Sequence, residues 1–448
     1  MSFNIGLSGL YAANKQLDVT GNNIANVATT GFKSSRAEFE DVYSATKLGT
    51  SSKTVGGGVN LANVSQQFGQ GEVNGSGGML DMGIQGGGFF VLDDNGSRSY
   101  TRAGTFQRDK DGYVTTADGS ARLQGYGVDA NGKVINGVLT DLRINLSNLP
   151  PKASSKVDSS SNLKSTSDVI DQVAKPFDPK DTSSFTSQFT TIIYDTQGNS
   201  HPMDQYVVKT AANTWKTYTL IDGRNPDGTP VTDTGTGTGT VAVPPVASTM
   251  SFDSSGALTG IVTPPSVVSN TTLTIPGTGA GAWVPGTMIN GVWSPNGAAA
   301  NPTGVGINMA NITQYNSVTY RNPPVTDGYA TGEITGLKID GSGVLFANFS
   351  NEQSQAIGQI SLASFNNEQG LIPAGGTSWK ETFASGTPGF DAPQVGTLGA
   401  IVANSLEGSN VNLTSELVDL IKAQSNYQAN AKTISTQSTI MQTIIQMA

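Results

Sequence analysis

The stretch that decides the fold is the N-terminal segment MSFNIGLSGLYAANKQLDVTGNNIANVA, residues 1–28. Its apolar side chains recur at alternating intervals of four and three residues, which is the spacing of a helix that pairs with another helix. A lone helix of this length is marginal in water, and each of its internal glycines costs up to about 1 kcal/mol relative to alanine. The segment therefore needs a partner. The predicted seam runs through Phe3, Leu7, Leu10, Asn14, Leu17, Gly21 and Ile24.

A second segment with the same spacing lies at the other end of the chain, in residues 413–448. Leu413 and Val418 are placed to form a hydrophobic staple around an N-cap at Thr414. We expect this helix to pair with the first one as a coiled coil. Its predicted seam runs through Leu413, Leu417, Leu420, Gln424, Tyr427, Ala431, Ile434, Ser438, Met441 and Ile445.

Both terminal segments carry very little charge. Residues 1–28 contain only Lys15 and Asp18, and residues 425–448 contain only Lys432. A solvated helix face is normally rich in Lys and Glu, whereas Gln, Asn, Ser and Thr suit a helix that is packed on several sides by like helices. An intramolecular helical hairpin is the alternative interpretation. We expect a self-assembly interface at Phe3, Leu7, Leu10, Leu17, Ile24, Leu417, Leu420, Tyr427, Ile434, Met441 and Ile445.

The composition between the two ends indicates β-structure with many turns. Among 448 residues there are 55 Gly and 20 Pro, and only 13% are charged, against roughly a quarter in a typical globular protein. An Asp-x-x-Gly pattern typical of type I turns recurs at residues 109–112, 129–132, 253–256 and 340–343. The fold class predicted is mainly β with α-helical termini, built from discontinuous, nested β-domains and a terminal coiled-coil domain.

The nesting predicts four regions. Residues 1–28 with 408–448 form the terminal helical polymerisation domain, and residues 29–70 with 396–407 form an extended connector. Residues 71–146 with 330–395 form one β-domain. Residues 147–329 form a central β-domain whose subdivision is left open. Glycines 31, 56, 57 and 58 are candidate hinge positions in the connector.

Charge and composition exclude several classes of protein. A net charge of −9 argues against a nucleic-acid binder, which would carry a basic patch. The absence of Cys excludes disulfides and thiolate metal sites. No run approaches the roughly 20 apolar residues of a membrane span, and no secretory signal is recognisable at the N-terminus. We therefore expect neither nucleic-acid binding nor membrane insertion, and export by a route other than the general secretory one.

No pattern of residues predicts catalysis, a cofactor or a metal ion. Residues 109–112 lack the glycine and glutamate positions of a calcium-binding EF-hand loop. Gly86, Gly87 and Gly88 precede a predicted strand instead of a helix and lack the lysine of a phosphate-binding loop. The single histidine, His201, has no His or Cys to act with and is expected at the surface. The chain is predicted not to be an enzyme.

Several motifs resemble those of the bacterial flagellar rod and hook family. The segment LDVTGNNIANVATTGFK (17–33) resembles its N-terminal signature, and GFFV (88–91), YTRAGTF (100–106) and QSNYQANAK (424–432) resemble its other blocks. The matched regions cover about half of the chain and leave residues 147–329 unmatched. The length resembles that of the longer, hook-type members.

The resemblance implies a function and a set of partners. It implies a helical homopolymer outside the cell, attached to the basal body, which forms a curved tube and transmits motor torque to the filament as a flexible joint. It implies contacts with the distal rod, the hook cap and the hook–filament junction proteins, and export by the flagellar type III apparatus without a cleaved signal peptide. Two alternatives remain open: a distal rod-like or hook-associated axial protein, and a secreted adhesin that uses residues 147–329.

Overall fold

The structure is a computed structural model that describes residues 2–42, 56–129, 132–135, 137–145, 147–231, 243–264, 271–290 and 292–447. Within these residues there are two α-helices, α1 (Ser2–Ala25) and α2 (Leu413–Met447), and the remaining regular structure is almost entirely β. The prediction of a mainly β chain with helical ends that pack together is confirmed.

The strands follow one another in short segments separated by turns. The first group is β1 (Ser35–Asp41), β2 (Val59–Gln66), β3 (Val73–Gly75), β4 (Met82–Gln85), β5 (Phe89–Asp94), β6 (Ser97–Thr101), β7 (Phe106–Arg108), β8 (Val114–Thr116), β9 (Arg122–Tyr126) and β10 (Thr140–Asp141). The second group is β11 (Lys156–Asn162), β12 (Ser187–Tyr194), β13 (Ser200–Ala211), β14 (Thr214–Ile221), β15 (Ala247–Phe252), β16 (Leu258–Val262), β17 (Thr272–Ile275), β18 (Gly286–Ile289), β19 (Val292–Pro295), β20 (Val305–Thr313), β21 (Tyr320–Arg321) and β22 (Val325–Thr326). The third group is β23 (Ile334–Ile339), β24 (Val344–Phe349), β25 (Ser354–Ile360), β26 (Leu362–Ser364), β27 (Ile372–Gly375), β28 (Ser378–Lys380), β29 (Gly389–Asp391), β30 (Ala400–Ala403) and β31 (Ser405–Glu407), with a 3-10 turn at Glu368–Gly370.

The chain divides into two compact units. Unit 1 comprises Met1–Leu146, Ile334–Asn348 and Ser354–Ala448, and unit 2 comprises Ser147–Glu333 and Phe349–Gln353. Unit 1 therefore contains both helices together with the first and third groups of strands. The four-region division predicted from the sequence is finer than this one.

Unit 1 is built around a large sheet with the path β23-β24-β25-β9-β5-β6-β28-β27. Alternate residues of its central strands point to opposite faces, so Phe90 and Leu92 enter one apolar cluster and Phe89 and Val91 enter another. Two short antiparallel ladders, β3 with β31 and β4 with β30, join residues 73–85 to residues 400–407. The returning chain is thereby fixed beside the outgoing chain.

Residues 35–66 differ from the extended connector predicted for residues 29–70. Strands β1 and β2 pair as an antiparallel hairpin, with Ser35 opposite Gln66 and Asp41 opposite Val59. A bulge between Glu38 and Phe39 interrupts the register. Residues 43–55, which lie between the two strands in the sequence, are outside the described residues. The strand signal is weak in the sequence because few of the side chains in these strands are buried.

Unit 2 contains two five-stranded sheets. One has the order β12-β13-β14-β15-β16, and the other contains β17, β20, β11 and β21, with β22 paired to β11. A single apolar cluster draws side chains from both sheets, including Val207 and Trp215 of the first and Val157 and Ile307 of the second. A second cluster around Tyr206 and three neighbouring apolar side chains covers the other face of the first sheet.

The four Asp-x-x-Gly turns predicted from the sequence are confirmed. In each, the glycine N–H donates to the carbonyl oxygen of the aspartate three residues earlier, at 3.0 to 3.2 Å. All four glycines have φ between 75° and 90°, a region that side chains rarely occupy. The glycine is required there by the backbone. The four pairs are Asp109–Gly112, Asp129–Gly132, Asp253–Gly256 and Asp340–Gly343.

Candidate functional site

The two helices of unit 1 lie antiparallel to each other. A Cβ atom built on Gly6 would lie 3.1 Å from Ile434 Cγ1, and one built on Gly9 would lie 2.6 Å from Asn430 Oδ1. Further along α1, Asn23 Nδ2 donates to Glu416 Oε1 at 3.0 Å. Glycines at positions 6 and 9 therefore allow the two backbones to approach closely.

The side of α1 that is buried in the subunit lies one residue earlier than the predicted seam. Gly6, Ala13, Thr20 and Asn23 are buried, whereas Phe3 and Leu7 remain 49% and 37% exposed. Small side chains fit the close approach to α2, and the larger ones are turned aside from it. The apolar spacing predicted pairing correctly but could not distinguish the intrachain face from the adjacent one. Leu10, Leu17 and Ile24 are half-buried.

Helix α2 begins with a different cap from the one predicted. Asn412 precedes the first helical residue, its Oδ1 accepts the Ser415 N–H at 3.1 Å, and its carbonyl accepts the Glu416 N–H at 3.0 Å. The predicted N-cap at Thr414 is wrong because Thr414 already lies inside the helix. Asn ranks above Thr as an N-cap, which agrees with the position of Asn412.

Most of α2 is exposed. Ala423 is its one buried residue among those described, and Leu420, Asn430, Ala431 and Ile434 are half-buried. Of the predicted self-assembly positions, Leu420 and Ile434 contribute to the intrachain pair. The others on this helix are exposed: Leu417, Tyr427, Met441 and Ile445.

The C-terminal end of α2 extends beyond α1. The pairings of Gly6 with Ile434 and of Gly9 with Asn430 place the start of α1 level with about residue 438 of α2. Residues 439–447, here called the overhang, therefore have no α1 residue beside them and span roughly 13 Å at 1.5 Å per residue. The overhang contains five exposed apolar residues, Ile440, Met441, Ile444, Ile445 and Met447. The seam prediction included Met441 and Ile445; the repeat of apolar pairs at i and i+4 could have indicated Ile440 and Ile444 as well.

Polar contacts hold the helix pair to the β1–β2 hairpin. The Asn23 side chain donates to the Ser35 carbonyl at 2.8 Å and accepts the Ser35 N–H at 2.9 Å. Burial raises the pKa of Glu416, and the hydrogen bond from Asn23 only partly opposes this effect. Asn410 joins the returning part of the chain to the outgoing part, since it accepts the Ser34 N–H at 2.8 Å and donates to the Gln67 and Gly69 carbonyls.

Unit 1 also contains a buried cluster of charged side chains around Glu407. Lys33 Nζ donates to Glu407 Oε1 at 2.6 Å, and an Arg102 nitrogen donates to Oε2 at 3.1 Å. The Glu407 side chain has no exposed surface, and it also accepts the Gly71 N–H at 3.0 Å. Burial lowers the pKa of Lys33, although Glu407 opposes that shift. Sequence reasoning quoted Lys33 and Arg102 within motifs but missed Glu407, which is 374 residues from Lys33.

The candidate hinge glycines occupy tightly packed positions. Gly31 has φ +67° and approaches Arg102 and Ala103, and its N–H donates to the Glu407 carbonyl at 2.8 Å. Gly58 has φ +114°, and a Cβ atom there would lie 2.2 Å from Ser8 Oγ of α1. Gly57 donates to the Val42 carbonyl at 2.6 Å, while a Cβ atom on Gly56 would make an ordinary contact, 3.8 Å from the Val42 carbonyl oxygen. Of these contacts, the one at Gly58 attaches the base of the hairpin to α1.

His201 of unit 2 is buried, so its predicted surface position is wrong. Its Nδ1 lies 2.7 Å from Asp222 Oδ2, its Nε2 lies 3.3 Å from Asp195 Oδ2, and its ring packs edge-on against Trp283. Burial lowers the pKa of His201, but the hydrogen bonds and charges of Asp222 and Asp195 outweigh burial and leave the pKa raised. Both partners are aspartates, and the sequence analysis considered only His or Cys. Among the described residues, no cluster of three or more His, Asp or Glu is arranged to hold a metal ion.

None of the described helices is both long enough and apolar enough to cross a bilayer.

Four family models match consecutive parts of the chain. They are described as flagella basal body rod protein (residues 3–33), flagellar hook protein FlgE/F/G D1 domain (83–153), flagellar basal body protein FlaE D2 domain (162–329) and flagellar basal body rod FlgEFG protein C-terminal (402–447). The paired terminal helices and the β-rich units thus define an axial protein of the bacterial flagellum.

Relatives match over the whole length. The flagellar hook protein FlgE of Salmonella typhimurium strain LT2 is 35% identical over 452 residues, and that of Escherichia coli strain K12 is 33% identical over 451 residues; both alignments cover 100% of each chain. The corresponding protein of Borreliella burgdorferi is 31% identical and covers 99% of this chain and 98% of its own. The chain belongs to the flagellar hook protein family, and it is a structural subunit of the hook.

The similarity to solved structures is low. The crystal structure of the Helicobacter pylori flagellar hook protein FlgE2 covers 74% of this chain and 100% of its own, with a TM-score of 0.48 and 15% identity. Membership in the family rests on the sequence relatives. The family is a structural one and not a family of enzymes, and its role is in motility.

Proposed function

We propose that this subunit polymerises through the exposed apolar faces of α1 and α2, with the overhang as the central contact. The observation that carries the proposal is that residues 439–447 present five exposed apolar side chains and no charged one. A patch of this kind in a soluble protein indicates an interaction site. A second copy of the chain is the natural partner because the overhang continues the same helix that pairs with α1.

The polymer that follows from such contacts is a tube. The overhang of one subunit and the face that receives it on the next are different surfaces, so the contact is heterologous, and a heterologous contact whose rotation does not close a ring generates an open helical assembly. We propose that the helical pair lines the tube, that residues 71–146 with 330–395 form the next layer, and that residues 147–329 lie outside. Bending of the hook as a flexible joint would then require small shifts between subunits.

The remaining partners follow from family membership. We propose contacts with the distal rod, the hook cap and the hook–filament junction proteins, and export through the flagellar type III apparatus without a cleaved signal peptide. The candidate hinge residues Gly31 and Gly56–Gly58 stay a prediction. Their packing favours a role as fixed attachment points over free rotation.

The test of the assembly contact is a pair of substitutions in the overhang. In Ile440→Glu with Ile444→Glu, a buried contact between subunits would have to accommodate two charges, and burying an unpaired charge is strongly unfavourable. We expect a folded monomer with unchanged far-UV circular dichroism that forms no tubes in sedimentation or electron microscopy. The matched control is Gln442→Glu with Gln446→Glu, which adds the same charge while retaining the apolar side chains.

Deletion of residues 439–447 provides a second arm. Because these residues have no α1 residue beside them, their loss should leave the helix pair and both β-rich units intact. Tubes assembled from this truncated chain, or from the doubly charged variant, would rule out the overhang as the central contact.

A further inference from the structure

Unit 2 contains a concentration of buried polar side chains without hydrogen-bond partners. In the described part of the chain, eight buried side-chain nitrogen or oxygen atoms have no partner, and seven of them belong to six residues of unit 2. Buried polar groups are nearly always satisfied by protein, water or an ion. The six residues are Thr191, Gln205, Thr217, Thr219, Trp283 and Arg321.

Four of these residues lie on one face of the sheet formed by β12, β13 and β14. Gln205 of β13 is paired directly with Phe189 of β12 on one side and with Thr219 of β14 on the other. Thr191 is two residues from Phe189 on β12, and Thr217 is two residues from Thr219 on β14. Side chains two residues apart on a strand point to the same face, so both threonines share the face of Gln205. Gln205, Thr191 and Thr217 are only 2%, 3% and 1% exposed.

Arg321 lies over the same face. Its guanidinium carbon is 5.7 Å from the centre of the Phe189 ring, and one terminal nitrogen donates to the Thr190 carbonyl at 3.4 Å. Its Nε and its other terminal nitrogen are buried without partners among the described residues. Directly opposite Phe189 in the register is Gln205, whose Nε2 is also unpartnered.

The positive charge of Arg321 is not compensated by a described carboxylate. Among the described residues, one of its nitrogens donates to a backbone carbonyl and the other two have no partner, and burial lowers its pKa. Asp204 lies on the opposite face of β13, where it accepts the Thr190 hydroxyl. Lys209 adds a second cation on the Gln205 face and donates its ammonium group to the Ser165 and Ser167 carbonyls.

The unsatisfied atoms are mainly donors. The two Arg321 nitrogens and Gln205 Nε2 can only donate, and each threonine hydroxyl can donate as well. A water molecule at this place would need acceptors for its own hydrogens, whereas an anion accepts from every group and compensates the guanidinium charge. We propose that a small monovalent anion of the size of chloride binds between Arg321 and the Gln205 face of unit 2.

The first test uses the full chain in solution. At matched ionic strength, sodium chloride and sodium bromide should raise the thermal unfolding midpoint of unit 2 relative to sodium gluconate, because a ligand that binds only the folded state stabilises it. The chloride-35 NMR line should broaden in the presence of the protein. Crystals grown in bromide should show an anomalous peak beside Arg321.

Two variants separate the site from a general salt effect. Arg321→Gln should remove both the anion dependence of the midpoint and the excess chloride linewidth. Gln205→Glu supplies a carboxylate in place of the anion, so it should fold and be insensitive to the choice of halide even if Arg321→Gln is poorly stable. The control is Arg143→Gln in unit 1, which removes another arginine stacked on an aromatic ring and should leave the halide response unchanged.

Two results would overturn the proposal. One is a native chain whose unfolding midpoint and chloride linewidth do not depend on the anion, with water alone beside Arg321 in the crystal. The other is a halide response that persists in Gln205→Glu, which would indicate an adventitious ion elsewhere.

Discussion

At the scale of single residues, Glu407 has the largest predicted effect. It compensates both Lys33 and Arg102 in a site closed to solvent. Glu407→Gln keeps the size of the side chain but leaves two buried cations with a neutral partner. Removing one member of a buried ion pair typically costs about 3–5 kcal/mol. We expect a loss of that order in the free energy of unfolding, measured by urea denaturation followed by circular dichroism.

The matched control for Glu407 is an exposed pair. Asp18 accepts from Lys15 at 3.1 Å on the surface of α1, and exposed pairs contribute little to stability. Asp18→Asn should therefore shift the urea midpoint far less than Glu407→Gln. Equal shifts would show that burial of the cluster does not matter in solution.

The buried His201 should make the stability of unit 2 depend on pH. Its folded pKa lies above the unfolded value of 6.5, so the folded state binds the proton more tightly than the unfolded state does. The resulting stabilisation is complete below about pH 6.5 and is lost as the pH rises through the folded pKa. We expect the urea midpoint of unit 2 to fall over that interval.

The measurement compares the chain with His201→Gln across the same pH range. Subtracting the two curves removes the titration of other groups, including the raised pKa of Glu416 in unit 1. The difference should be largest on the acidic side and shrink toward alkaline pH. A difference that grows with pH would contradict the assignment of the histidine as a protonated bridge between Asp195 and Asp222.

At the scale of elements, the sequence predicted what its local patterns determine. The two helices, their pairing and the Asp-x-x-Gly turns follow from periodicity and from the conformational freedom of glycine. The predicted seam of α1 lies one residue away from the face that is buried in the subunit. The prediction followed the large apolar residues, whereas the intrachain contact uses Gly6, Ala13 and Thr20. Apolar spacing marks every apolar face of a helix and does not distinguish the intrachain face from one that stays exposed in the subunit.

The β1–β2 hairpin offers a test at this scale. Gly58→Ala would place a Cβ atom 2.2 Å from Ser8 Oγ at φ +114°, and a strained backbone position costs roughly 1–3 kcal/mol. We expect the hairpin to detach from α1. Hydrogen exchange of the β1 and β2 amides should accelerate, with little change in the large sheet of unit 1.

Gly56→Ala is the paired control, since its nearest atom is the Val42 carbonyl oxygen at 3.8 Å. In the Gly56→Ala variant, hydrogen exchange of the β1 and β2 amides should match that of the unaltered chain. If both alanines behave alike, the Gly58 contact does not hold the hairpin to α1, which would favour the extended connector with hinge glycines that the sequence predicted.

At the scale of the whole molecule, motifs predicted more than periodicity did. The resemblance at residues 17–33 and 424–432 predicted the family, and the relatives confirm it. The Glu407 cluster and the His201 site were not predictable in the same way, because their partners are brought together only by the folded backbone. Asp195 and Asp222 flank His201 in the chain, yet nothing in their spacing distinguishes them from turn residues.

The low charge of the terminal helices predicts the salt response of assembly. If the tube forms through the overhang and the uncharged helix faces, there are few charges for salt to screen. The concentration at which tubes appear should change little between about 50 and about 500 mM sodium chloride. Ammonium sulfate should lower it, because sulfate strengthens apolar burial. A steep sodium chloride dependence in light scattering would point to charged contacts instead.

The distance along the chain between Lys33 and Glu407 has a consequence for the order of events in folding. A chain that emerges N-terminus first holds α1 for nearly its whole length without α2, and a helix of 24 residues is marginal alone. Lys33 and Arg102 likewise lack their carboxylate until residue 407 arrives. Both ends therefore become ordered only when the last segment is present. A chain shortened at its C-terminal end would lack the paired helices, and on the proposed assembly contact it would not join the polymer.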